Sequence, residues 1–108
     1  MNSRLFGIAL LTISATGLYS AQAADVSVLI RNFDYSPMEL NIAAGTTVVW
    51  KNLDGEPHVV ASLDGLFRSP ALDQNDSYRF TFDKAGSFKY ICSIHPKMKA
   101  TITVTKAQ

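Results

Sequence analysis

From residue 26 onward, apolar and polar positions alternate in short runs separated by turn residues. Val26, Val28 and Ile30 alternate with Ser27, Leu29 and Arg31, and this period of two predicts a strand over about 25–32. Tyr35-Ser36 and Pro37 break the chain before Met38-Glu39-Leu40-Asn41-Ile42, a second alternating run in which Met38 is assigned to the core. Ala44-Gly45 forms a turn, and Thr46-Thr47-Val48-Val49-Trp50-Lys51-Asn52 is rich in β-branched and aromatic side chains. Asp54-Gly55 is a turn signal ahead of His58-Val59-Val60-Ala61-Ser62. An irregular segment follows to Asn75-Asp76. Tyr78, Phe80 and Phe82 then share one face, Phe88, Tyr90 and Cys92 share another, and Ile102 and Val104 point inward from Ala100–Thr105. About seven short strands at this spacing predict an all-β sandwich of one domain. No helical period appears after residue 23.

The first 23 residues fit a different pattern. Arg4 supplies a positive start, Leu5 to Leu18 is mostly apolar, and Ala21-Gln22-Ala23 has the small-x-small form of a signal-peptidase site. A membrane anchor is the competing reading. The apolar run falls short of the ~20 residues a bilayer span needs, and Thr12, Ser14 and Thr16 interrupt it. The expectation is therefore an exported, periplasmic protein: a cleaved signal over 1–23, then one domain over 24–108 with no membrane insertion.

The chain carries 10 basic and 9 acidic residues, a net charge of +1. Arg4 is the only charged residue in the leader, so the domain without it is neutral. A neutral domain has no global field to draw it onto nucleic acid or a charged membrane surface. With a single cysteine, no internal disulfide can form. A lone exposed thiol is a liability in an oxidising compartment, and ligation to a metal would both protect Cys92 and add stability. A buried structural thiol is the plain alternative.

The neighbours of Cys92 favour the metal. Cys92-Ser93-Ile94-His95-Pro96-Lys97-Met98 holds the only cysteine, one of two histidines and one of three methionines. The other histidine, His58, lies upstream on a different predicted strand. Two imidazoles, a thiolate and a thioether are the ligand set of blue-copper sites. In this reading His58, Cys92, His95 and Met98 bind one copper ion. Cys92 enters the interior at a strand end, while His95 and Met98 follow at three-residue intervals in a loop stiffened by Pro96. Four protein ligands leave no open position for substrate, which points to electron transfer rather than catalysis. Zinc could use one cysteine and two histidines but gains little from a thioether. A Cys-His nucleophilic pair lacks an orienting third group and an oxyanion site.

These residues resemble the cupredoxins over about 30–105, most closely the amicyanin, plastocyanin and pseudoazurin branch. The landmarks are Phe33-x3-Pro37, Gly45 to Asn52, Pro57-His58, Phe82-x3-Gly86-x3-Tyr90-x-Cys92 and Cys92-x2-His95-Pro96-x-Met98. The short Cys-x2-His-x2-Met spacing is the amicyanin-like feature. The resemblance implies a Greek-key β-sandwich holding type 1 copper. It makes His58, Cys92 and His95 the equatorial ligands, Met98 the long axial one, and His95 the solvent-facing exit for electrons. Val59, Lys97 and Ala100 stand where relatives usually carry Asn, an apolar residue and Gly. Lys97 and Lys99 would make the rim around His95 basic and suit a partner with an acidic docking face. Asn52 would brace the Cys92 loop near Ser93 or simply end its strand, and Trp50 would pack the core.

The function expected is a monomeric periplasmic electron shuttle without enzyme activity. Its partners would be redox proteins such as a c-type cytochrome or a periplasmic dehydrogenase or oxidase. Copper handling, as a chaperone or tolerance factor, is the alternative. It is disfavoured by the lack of a Met- or Cys-rich cluster. A copper enzyme would require Met98 not to coordinate.

Overall fold

The computed structural model describes residues 24–107; the proposed signal segment 1–23 and Met1 lie outside them. Among the described residues eight strands are present: β1 Val26–Arg31, β2 Asp34–Ser36, β3 Glu39–Ala43, β4 Thr46–Asn52, β5 Ala61–Ser62, β6 Ser77–Phe82, β7 Gly86–Ile91 and β8 Lys99–Thr105. They form two four-stranded sheets, ordered β2-β1-β4-β6 and β3-β8-β7-β5. Each sheet contains one parallel pair, β1 with β4 and β3 with β8, and is otherwise antiparallel. Among the described residues no helix is long and apolar enough to cross a membrane.

The alternation read from the sequence is what seals the sandwich. In β4, Thr46, Val48, Trp50 and Asn52 are buried, while in β8 Ala100, Ile102 and Val104 are. A strand's period of two delivers these side chains to one face, and the two faces meet over Trp50, Tyr35, Tyr90 and Phe82, each almost fully enclosed. Trp50 is core packing, as expected. Its ring lies 5.7 Å from that of Phe67 and 5.6 Å from that of Tyr90.

Three local expectations are corrected. The break assigned to Tyr35-Ser36 is a strand, because Asn32 and Phe33 turn the chain first and Asp34–Ser36 pairs back on β1; this brings the strand number to eight. The run from His58 to Ser62 is a strand only at Ala61–Ser62, and His58 instead makes an isolated bridge to Leu72. Met38 is 51% exposed rather than core; it precedes β3, and inward packing from that strand begins with Leu40 and Ile42.

The topology collects the chemistry at one end. Parallel pairing of β1 and β4 ends at Ile30 and Asn52, so the β1–β2 turn and the segment after β4 emerge side by side. The β7–β8 connection leaves after Ile91 pairs with Lys99. Cys92 of that connection meets Val59 of the post-β4 segment, just before β5 pairs with β7.

Candidate metal centre

The seven residues from Cys92 to Met98 are closed by their own backbone. The His95 amide donates to the Cys92 carbonyl at 3.2 Å, and the Met98 amide to the His95 carbonyl at 2.9 Å. The Cys92 amide donates to the Met98 carbonyl at 3.1 Å, tying the ends. The x2 spacing thus produces two successive i→i+3 turns. Cys92 is fully buried and Met98 is 2% exposed, whereas His95 is half-buried.

His58 comes from the other segment and is held rigidly. It exchanges two backbone hydrogen bonds with Leu72, at 3.1 and 2.7 Å. Asn52, fully buried at the end of β4, braces the intervening loop. Its Nδ2 donates to the carbonyls of Glu56 at 2.9 Å and Leu72 at 2.8 Å, and its Oδ1 accepts the Asp54 amide at 2.9 Å. Asn52 therefore ends its strand, but its brace reaches the His58 loop rather than Ser93. Ser93 Oγ accepts from Arg68 Nη2 at 3.3 Å.

Asp54 is the residue that sequence reasoning passed over as a turn signal. Its Oδ2 lies 2.8 Å from His58 Nε2. A carboxylate there holds the ring proton on Nε2 and leaves the Nδ1 lone pair free. The same carboxylate accepts the amides of Asn32 at 2.7 Å and Phe33 at 2.9 Å. Burial pushes the Asp54 carboxyl upward, but the Phe33 and Asn32 amides, with His58, bring it below its ordinary value. The signal was present in the chain as an acid four residues before His58, with no rule of spacing to single it out.

The free donors converge. Cys92 Sγ is 3.9 Å from His58 Nδ1 and 3.8 Å from His95 Nδ1, and all three atoms lie within 4.8 Å of one another. Donors placed ~2.0–2.3 Å from one ion in a trigonal plane stand about 3.5–4 Å apart, so the cluster fits a single metal ion. The Val59 amide donates to Sγ at 3.2 Å. The Val59 carbonyl accepts Tyr35 Oη at 2.6 Å. Val59 thus ties the segment through its backbone, while its apolar side chain joins the core. Phe33 completes the surround: its ring centroid lies 5.0 Å from those of both His58 and His95.

On the solvent side, His95, Pro96, Lys97, Met98, Phe33, Asp34 and Ile94 line one cavity. Lys97 shares the surface of His95. Lys99 does not: it lines a separate cavity with Met38, Leu63 and Lys89, so the basic rim expected from two lysines reduces to Lys97.

A two-sheet β-sandwich with two imidazoles and a thiolate gathered at one end defines a small metal-binding domain of the blue-copper type. The chain belongs to the cupredoxin-like domain family, whose model matches residues 3–104. It is 35% identical to amicyanin of Paracoccus versutus, over 90% of this chain and 89% of that protein. It is 32% identical to the chloroplastic plastocyanin of Pisum sativum, over 83% of this chain and 64% of that protein. Among solved structures it resembles a purple cupredoxin from Nitrosopumilus maritimus, with a TM-score of 0.69, 35% identity and coverage of 74% of this chain and 99% of that one. Family and donor cluster together make one copper ion the cofactor of this domain.

Proposed function

We propose that this domain is a periplasmic electron carrier in which His58, Cys92, His95 and Met98 bind copper. The observation that carries the reading is the convergence of His58 Nδ1, Cys92 Sγ and His95 Nδ1 from two separate connections, β4–β5, which crosses between the sheets, and β7–β8. When bound, copper supplies a one-electron couple between Cu(I) and Cu(II). The protein's part is to keep the ligands still. The hydrogen-bonded loop of Cys92–Met98 and the Asn52 and Asp54 braces on His58 fix the donors before any metal arrives. Little rearrangement then accompanies a change of one charge. Burial of Cys92 and Met98 keeps water from the thiol and the thioether, and a metal held by all four residues would have no position open for a substrate.

Half-buried His95, beside Pro96 and Ile94, is the edge through which the electron passes to a docked partner. Ile94 is 47% exposed and Phe33 44%, an apolar contact area with Lys97 at its border. Such a surface suits a redox protein that presents an apolar patch beside acidic groups. We assign the domain to residues 24–108 and the leader to export. The protein works as a monomer, and no catalysis is attributed to it.

Stopped-flow mixing of the copper(II) protein with a reduced c-type cytochrome tests the function. Fast bleaching of the blue band with matching cytochrome oxidation is expected. Slow electron exchange combined with fast transfer of copper to an acceptor protein would place the chain in copper handling instead.

A further inference from the structure

Phe33 sits in a conformation that its side chain does not favour. Asn32 and Phe33 form the two-residue turn between β1 and β2, with Arg31 and Asp34 as the last paired residues. Both have positive φ, 55° and 59°, the requirement of a type I′ hairpin turn, whose usual second residue is glycine. Asn32 is suited to this; a bulky aromatic residue is strained there. Phe33 is also 44% exposed, so core burial does not explain its place.

What explains it is the contact with both imidazoles. The Phe33 ring stands edge-on to His58 and His95, with interplanar angles of 88° and 89°. The two histidine rings lie 5.0 Å apart, so the three rings close a triangle on the solvent side of the donor cluster. The turn that presents Phe33 is held by Asp54, whose carboxylate takes both turn amides and also meets His58 Nε2.

We propose that Phe33 is a positioning residue, an aromatic cap that holds His95 and His58 in their metal-binding orientation and keeps water off the bound copper, and that Asp54 braces the cap and the buried histidine together. The proposal rests on the copper-site reading above. Two consequences follow from the geometry. His95 must displace the cap before it can leave the metal, so copper is released slowly. A site of two neutral imidazoles and one thiolate carries a single positive charge with Cu(II) and none with Cu(I). Excluding water disfavours the more charged state, so the cap raises the reduction potential.

Phe33→Gly separates this role from a structural one, because glycine is the residue the turn prefers. The melting temperature of the apoprotein is expected to hold or rise. The copper-loaded variant is nevertheless expected to lose Cu(I) to an excess of a small chelator about tenfold faster, the loss of two aromatic contacts, and to show a lower potential. Phe33→Tyr, which keeps the ring, should restore both. Unchanged release and potential in Phe33→Gly would overturn the cap.

The brace is read in the apoprotein by NMR. Cross-relaxation between Phe33 and His95 ring protons should be present in the unsubstituted chain and absent in Asp54→Ala. The Asp54→Ala/Phe33→Gly double variant should release copper within about twofold of Asp54→Ala alone. Multiplying effects would refute the brace. If the unsubstituted protein takes up copper without an intense blue absorption, the copper-site reading fails. If it turns blue and the variants do not differ, only the cap fails.

Discussion

Asn52→Ala is the perturbation that weighs most clearly how the sandwich prepares the site. Its side chain is fully buried and joins three backbone groups: the Glu56 and Leu72 carbonyls and the Asp54 amide. A typical intramolecular hydrogen bond contributes about 0.5–1.5 kcal/mol net, and a buried group left unpaired costs more. The bond to Leu72 is buried, while those to Glu56 and Asp54 are part-buried, where water can replace part of the loss. The expected destabilisation is therefore about 2–3 kcal/mol. Against a total of roughly 5–15 kcal/mol for a small domain, that is a large fraction. It corresponds to a fall in melting temperature of about 8–24 °C. Urea unfolding of the apoprotein measures it, with an unchanged denaturant slope as the condition for reading a midpoint shift as stability. A loss below about 1 kcal/mol would refute the reasoning, since the loop carrying Asp54 and His58 would then hold without its brace.

Met98→Ala should keep the blue colour, which comes from the Cys92 thiolate, but shift the spectrum and the potential. If neither moves, Met98 is not a ligand and the closed-site argument fails. Tyr35 provides a pH signature, because burial, then Cys92 and Tyr90, push its hydroxyl well above the ordinary tyrosine value. The unfolded chain loses this proton near pH 10 while the folded chain keeps it. Stability is thus fully present below about pH 10 and falls above it, by up to ~1.4 kcal/mol per pH unit. Tyr35→Phe should flatten that alkaline slope and, through the lost bond to the Val59 carbonyl, cost about 1 kcal/mol near neutrality; equal slopes in chemical unfolding at pH 10–11 would contradict the assignment. Lys97→Glu should slow electron exchange with an acidic partner, more at low salt than at high, with the visible spectrum unchanged; a salt-independent effect would remove Lys97 from the docking surface.

The legible parts of this molecule are those that repeat or concentrate. Period-two alternation marked β1, β4, β6 and β8, because a half-buried strand writes its burial directly into its sequence. Cys92, His95 and Met98 were visible because rare, soft donors fell within seven residues, and His58 because one other histidine existed to complete the set. The structure brings His58, Cys92 and His95 together and buries Met98, which lines one cavity with His95. The missed features depend on distant partners. Asn32-Phe33 hid a hairpin turn because its second residue is not the glycine that such turns prefer, and Asp54 holds it there from 21 and 22 residues away. Asp54 itself looked like half of an Asp-Gly turn. Met38 continued an alternating run in sequence, but the strand begins one residue later and leaves its side chain exposed.

That spacing also explains why the brace on His58 could not be read in advance. Asn52 was visible as a polar residue closing a β-prone run, and a brace on the Cys92 loop near Ser93 or a plain strand end were equally reasonable on sequence. The choice is made by Leu72, which pairs with His58 from the irregular segment before β6. No local pattern predicts where such a segment returns. Sequence periodicity thus located the strands that flank the ligand segments, and tertiary packing decided which side chains hold the ligands in place.

The central claim is that two histidines, one thiolate and one thioether form a closed copper site, and the visible and EPR spectra of the copper(II)-loaded protein test it most directly. An intense blue thiolate-to-copper band, with the small copper hyperfine splitting of a strongly covalent Cu–S bond, is expected, and Cys92→Ser should abolish both. A colourless protein, or a spectrum with wide hyperfine splitting that Cys92→Ser leaves unchanged, would contradict it.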